Sequence, residues 1–157
     1  MKDSGKIKIL VLDDEINNTT GIKSFLRKQY DVFTTTDVKE AENMLSTNND
    51  IAVVLCDQRM PDKKGTDFLQ EIRDKYPDVM RILFTAFADN EVLIDSINKG
   101  WVYKFIQKPV NMEELEIAIK QATDVWLLKR EDNDLARKVI GYNEQMKGLL
   151  SFYLNKK

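Results

Sequence analysis

Short apolar runs alternate along this chain with longer stretches in which apolar residues return every three or four positions. These are the spacings of buried strands and of one-sided helices. Residues 7–12 (IKILVL) predict a first strand, and Ile16, Ile22, Phe25 and Leu26 mark the inner face of the helix after it. Residues 30–35 (YDVFTT) predict a second strand. Asp37 then stands where a helix N-cap belongs, ahead of Val38, Ala41, Met44 and Leu45 on an inward face. Residues 51–55 (IAVVL) are apolar without alternation, as a strand covered on both faces requires. Gly65 opens a helix with Phe68, Leu69 and Ile72 on one side, ending near Tyr76-Pro77. Residues 79–84 (VMRILF) form the fourth predicted strand, and Val92, Leu93 and Ile97 mark a helix closed by Gly100. Residues 101–106 (WVYKFI) alternate and carry Lys104, the pattern of an edge strand, and a last helix starts near the cap residue Asn111. Five strand-then-helix units in about 120 residues predict an α/β fold, a doubly wound parallel sheet with right-handed crossovers.

In such sheets ligands sit beyond the carboxyl ends of the strands. The residues there are Asp13 and Asp14 after the first strand, Asp57 after the third, Thr85-Ala86 after the fourth and Lys108-Pro109 after the fifth. Each has an ordinary explanation. Asp13 and Asp14 could cap the next helix, Asp57 could serve a turn, Thr85 could be an N-cap, and Lys108 could be a solvated lysine. Taken together, they are placed on one edge by the fold alone. Clustered carboxylates repel unless protonated or bridged by a cation, and hard oxygen donors suit Mg²⁺ or Mn²⁺. Carboxylates, a divalent ion, a lysine and a hydroxyl are the parts of phosphoryl transfer. Asp57, at the end of the most apolar strand, is the best placed nucleophile.

Composition narrows the chemistry further. The 157 residues include no histidine, which excludes Ser-His-Asp and Cys-His nucleophiles and His-containing metal sites. A single cysteine, Cys56, excludes intrachain disulfides and Cys-cluster zinc sites and fits a reducing compartment. The formal net charge is −2, with 24 basic and 26 acidic residues, so no global attraction to nucleic acid or anionic membrane is expected. The six glycines match neither a dinucleotide fingerprint nor a P-loop. No apolar run reaches the length of a signal peptide core or a membrane span, and a cytoplasmic protein is expected.

The segments VLDDE (11–15), LCDQRMPDKKG (55–65), ILFTA (82–86) and FIQKP (105–109) resemble, in order and spacing, the receiver domain of two-component response regulators. The resemblance covers about residues 6–125. It implies a flavodoxin-like (βα)₅ sheet of strand order 2-1-3-4-5 and a phosphoacceptor at Asp57. It further implies Mg²⁺ (or Mn²⁺) held directly by Asp14 and Asp57, by Asp13 through water, and by the backbone carbonyl of Arg59. Lys108 would pair with the phosphoryl group, Thr85 would hydrogen-bond it, and Phe105 would be the aromatic switch residue. Arg59 and Phe87 stand where side chains tune dephosphorylation. Two other readings use the same residues. A haloacid-dehalogenase-type phosphatase needs a D-x-D after its first strand, which Asp13-Asp14-Glu15-Ile16 does not supply. A phosphorylation-independent interaction module would not need the complete set of pocket residue types.

On this reading residues 1–125 form the receiver and residues 126–157 a helical extension. Leu128, Leu135, Val139, Tyr142, Met146, Leu149 and Tyr153 follow a heptad seam interrupted at Asp132, and backwards the seam passes Val125 and Gln121. A coiled-coil linker or homodimerising helix and a helix folded back on its own domain both fit, and Gly141 and Gly148 weaken a continuous helix. Residues 111–157 hold eight basic and eight acidic side chains, so no DNA-reading surface is expected. The expected partners are a sensor histidine kinase or phosphotransfer protein, and an output domain or protein reached through helix 4, strand 5 and helix 5. With no histidine of its own, the chain needs its phosphoryl donor from outside.

Overall fold

The structure, a computed structural model, describes residues 5–86 and 90–131, with the side chains of residues 90–93 and 131 outside that description. Ten elements alternate: β1 (Lys8–Leu12), α1 (Ile16–Leu26), β2 (Asp31–Thr35), α2 (Val38–Thr47), β3 (Ile51–Asp57), α3 (Gly65–Lys75), β4 (Met80–Thr85), α4 (Asn90–Asn98), β5 (Lys104–Gln107) and α5 (Met112–Glu131). The strands pair in parallel in the order β2-β1-β3-β4-β5. That order reverses direction once, between β2 and β3, so right-handed crossovers put α1 on one face and α2, α3 and α4 on the other. A groove lined by Gln29 and Tyr30 together with Glu116, Ile117, Lys120 and Gln121 places α5 beside the end of α1.

All seven residues of β3 are buried, the result expected of a central strand covered on both faces. On the α2–α4 face, Leu10, Leu12, Val54, Cys56 and Leu83 pack with Ala41, Leu45, Phe68, Leu69 and Ile72 in one core. Burying each of the larger side chains is worth roughly 1.5–3 kcal/mol. Arg81, the one charged residue of β4, is accommodated because its guanidinium donates to the carbonyls of Val79, Gly100 and Trp101 at 2.7–3.1 Å. Gly100, at φ +77°, closes α4: its N–H bonds Ile97 and the next N–H, of Trp101, bonds Ser96. Asp37 and Asn111 cap α2 and α5 through their side chains, as their positions predict.

The expected inner face of α1 is corrected at two residues. Thr19, Ile22 and Leu26 are buried, whereas Ile16 is 67% and Phe25 42% exposed. Ile16, in the first turn of α1 at the carboxyl edge of the sheet, and Phe25 lie about 90° to either side of the stripe formed by Thr19, Ile22 and Leu26. Strand ends also move: β3 runs through Asp57 and β4 through Thr85, so both residues end strands rather than follow them. The edge position of β5 is as expected. The chain divides into two compact units, residues 1–123 and 124–157. Of the heptad seam, Gln121 and Leu128 are exposed and Val125 is partly buried. Leu135, Val139, Tyr142, Met146, Leu149 and Tyr153, like Gly141, Gly148 and Phe87, lie outside the described residues.

Gly65 begins α3 pressed against the end of β3. Its N–H donates to the Gln58 carbonyl at 3.0 Å, and an added Cβ would collide with the Asp57 carbonyl oxygen and stand 2.8 Å from Leu83 Cδ1. Backbone cannot yield as a flexible side chain can. Gly65→Ala is therefore expected to destabilise the fold by about 1–3 kcal/mol, read as a lowered urea midpoint at unchanged slope.

Candidate functional site

Parallel pairing brings the ends of β1, β3, β4 and β5 to one edge, and the ladders continue one step past it. Asp13 N–H bonds the Thr35 carbonyl at 3.3 Å, Gln58 N–H the Phe84 carbonyl at 2.8 Å, and Lys108 N–H the Thr85 carbonyl at 2.7 Å. Register pairs Leu12 with Cys56, so Asp13 and Asp57, each one residue further, emerge side by side. The carboxylates of Asp13, Asp14 and Asp57 offer oxygens all within 4.8 Å of one another. Lys108 Nζ stands 3.0 Å from Asp57 Oδ1 and 3.2 Å from Asp13 Oδ2. Side-chain exposure is 1% for Asp13, 8% for Asp57 and 21% for Lys108, while Asp14 is exposed.

The ordinary explanations of these residues do not describe them. The N-cap of α1 is Glu15, whose side chain makes no capping bond, and Asp13 Oδ1 instead accepts the Glu15 N–H at 2.9 Å. Asp57 is a strand residue, and Lys108 is paired with two acids rather than solvated. Thr85, buried at the end of β4, is tied through its carbonyl to Lys108. Arg59 is exposed in the loop between β3 and α3. Phe105 lies on the edge strand opposite Leu83, 36% exposed. Asp13, Asp14, Asp57 and Lys108 are thus brought together, with Thr85 adjoining them through the backbone.

Electrostatics make this a cluster under tension. Burial raises the pKa of Asp57, and the charges of Asp13 and Asp14 raise it further; the hydrogen bond and charge of Lys108 oppose them without prevailing. Burial pulls the Lys108 ammonium down, but Asp57 and Asp13 outweigh it and hold the pKa above its ordinary value. Two like charges at such separations repel by roughly 3–4 kcal/mol at an effective dielectric near 20. One ammonium among three carboxylates leaves negative charge uncompensated, and the donors are all hard oxygens. This set fits a divalent cation of the Mg²⁺ or Mn²⁺ kind. Cys56 is no competing nucleophile, since burial, then Asp57 and Asp13, push its thiol well above the usual range.

Two supporting residues, Asn18 and Gln58, escaped the sequence reading, and a third, Gly65, was read there only as the start of a helix. Asn18 donates from Nδ2 to Asp13 Oδ2 at 3.2 Å. Gln58 clasps the start of α3, accepting the Thr66 N–H at 2.9 Å and donating to the Thr66 hydroxyl at 3.4 Å. Gly65 seats that helix against Asp57. The available signals were Asn18 one helical turn past Asp14 and Gln58 directly after Asp57. Beside the acids a cavity of about 280 Å³ opens between α1 and the residues after β5, lined by Asn17, Gly21, Ile22, Val110 and Met112 among others.

Because the surroundings of Asp57 disfavour its charge on balance, Asp57→Asn should stabilise the chain in EDTA at neutral pH even though it loses the Lys108 pair. The expected gain is about 2–4 °C in Tm per kcal/mol relieved. Added Mg²⁺ should raise the Tm of the unsubstituted chain more than that of the variant, and a lower Tm for Asp57→Asn in EDTA would contradict the charge balance.

The family model of the response regulator receiver domain matches residues 9–120. The hydrogenase transcriptional regulatory protein HoxA of Bradyrhizobium diazoefficiens is 31% identical over 123 residues, covering 78% of this chain and 25% of that protein. The chain spans about a quarter to a third of the length of the curated relatives it matches. Among solved structures, a response regulator receiver domain protein from Clostridium thermocellum superposes with a TM-score of 0.71 at 33% identity, over 75% of this chain and 94% of that one. The beryllofluoride-activated NtrC4 receiver domain dimer superposes with a TM-score of 0.70 at 29% identity, over 76% and 98% of the two chains. The motifs, the sheet order and these likenesses agree: the chain belongs to the response regulator receiver domain family, the phosphoacceptor modules of two-component signalling.

Proposed function

We propose that Asp57 is the phosphoacceptor and that this chain catalyses its own phosphorylation from a phosphohistidine donor or a small acyl phosphate. The observation that carries the reading is a strand-end carboxylate, 8% exposed, with an ammonium 3.0 Å away and two further carboxylates beside it. An Asp57 carboxylate oxygen attacks phosphorus in line, an O–P bond forms, and the bond from phosphorus to the donor breaks as the donor leaves with its electron pair. With acetyl phosphate the leaving group is acetate, and no net proton moves. Lys108 pairs with the phosphoryl oxygens and the Thr85 hydroxyl donates to one of them. Asp13, Asp14, Asp57 and the Arg59 carbonyl are the groups that would hold Mg²⁺ (or Mn²⁺), which when bound neutralises charge on the phosphoryl oxygens.

The acyl phosphate adds roughly one to two negative charges at the edge of the sheet. Drawing Thr85 and Lys108 toward it biases the packing of Phe105 and of the face formed by α4, β5 and α5. Phe105 lacks a hydroxyl, so this switch works through packing alone. That face would address an output domain or a protein partner in the cytoplasm, with residues 1–125 as the receiver and residues 126–157 as linker or homodimerising helix.

Labelled acetyl phosphate with Mg²⁺ should modify the chain once, and the label should be lost at high pH as an acyl phosphate. Asp57→Asn should abolish labelling, while Lys108→Ala should slow it roughly 10²-fold. Full labelling of Asp57→Asn would overturn the assignment, and turnover of a generic phosphomonoester would point instead to a phosphatase.

A further inference from the structure

Asp13 is the most deeply buried charge of the site, and three donors share its two oxygens. Oδ1 accepts the Glu15 N–H at 2.9 Å, and Oδ2 accepts from both Lys108 and Asn18, each at 3.2 Å. Lys108 is a divided partner, because the same ammonium lies 3.0 Å from Asp57. If Lys108 turns to a phosphoryl group on Asp57, its hold on Asp13 weakens. A buried carboxylate that loses a charged partner is costly unless another donor keeps it satisfied.

Asn18 is the side chain in position to do so. It is carried by α1, whereas Lys108 sits beyond β5, so Asn18 does not move with the lysine. As a neutral donor it satisfies Asp13 without competing with Lys108 for negative charge. The same Nδ2 also reaches Glu15 Oε2 at 3.4 Å, which turns the nitrogen end of the amide toward both acids. We propose that Asn18 is a positioning residue whose amide holds Asp13 while Lys108 shifts from the Asp13–Asp57 pair to the phosphoryl group. The proposal rests on the phosphoacceptor reading of Asp57.

The test uses the full chain with Mg²⁺ and beryllofluoride as the phosphoryl mimic, titrated by fluorine NMR, alongside thermal melts. Asn18→Leu keeps the side-chain size and removes the donor. Without beryllofluoride its Tm should fall by no more than about 2 °C, because Lys108 and the Glu15 N–H still hold Asp13. Its affinity for beryllofluoride should fall roughly ten-fold, and Asn18→Ser, which restores a shorter donor, should recover part of that loss. Unchanged beryllofluoride affinity in Asn18→Leu, or a Tm loss of equal size with and without beryllofluoride, overturns the proposal. Should Asn18→Leu not fold, Asn18→Ser carries the comparison, with weakened binding expected and unchanged binding overturning. Failure of the unsubstituted chain to bind beryllofluoride overturns the phosphoacceptor reading itself, a result distinct from the others.

Discussion

Three carboxylates are held together at the end of a parallel sheet although their charges oppose it, and the rest of the structure is arranged around that opposition. The force that holds them is not local. β1 and β3 are fixed side by side by main-chain hydrogen bonds and by a core in which β3 is buried along its whole length. Asp13 and Asp57 are carried at their ends as passengers. A site with negative charge to spare is suited to a divalent cation, and the pKa of Asp57 is raised by its burial first and by the charges of Asp13 and Asp14 after it.

The supporting parts divide the work by which element carries them. Lys108 reaches the acids from beyond the edge strand, 95 residues from Asp13 in sequence, and its backbone is tied to the carbonyl of Thr85. Asn18 and the Glu15 N–H reach Asp13 from α1 and from the residue just before it. Gly65 and Gln58 fix where α3 begins, and with it the loop that contains Arg59. The lysine and the other donors of Asp13 thus come from separate elements, the lysine from beyond β5 and the others from α1 and the residue before it.

Where pattern reading and structure diverge, geometry explains it. The stripe on α1 predicted Ile16 and Phe25 as inward residues, but a stripe has no knowledge of where the sheet beneath it stops. Ile16 lies in the turn at the sheet's edge, and Phe25 lies off the line of Thr19, Ile22 and Leu26. The strand ends at Asp57 and Thr85 were placed early because polar residues read as strand termini, although the ladders continue through them. Asn18 and Gln58 passed unnoticed because an amide on a helix or in a loop carries no signal until its partners are known.

The sequence by itself determined the architecture, because alternating strand and helix periods, short connections and right-handed crossovers leave few arrangements. It also determined which residues meet at the edge, since in a parallel sheet every strand end arrives there whatever its side chain. Tertiary structure alone decided how those residues are partnered: that Asp13 is buried and Asp14 exposed, that one lysine serves two acids, and that Asn18 takes a share of Asp13. These are matters of distance and desolvation between segments far apart in the chain, and neither periodicity nor composition encodes a distance.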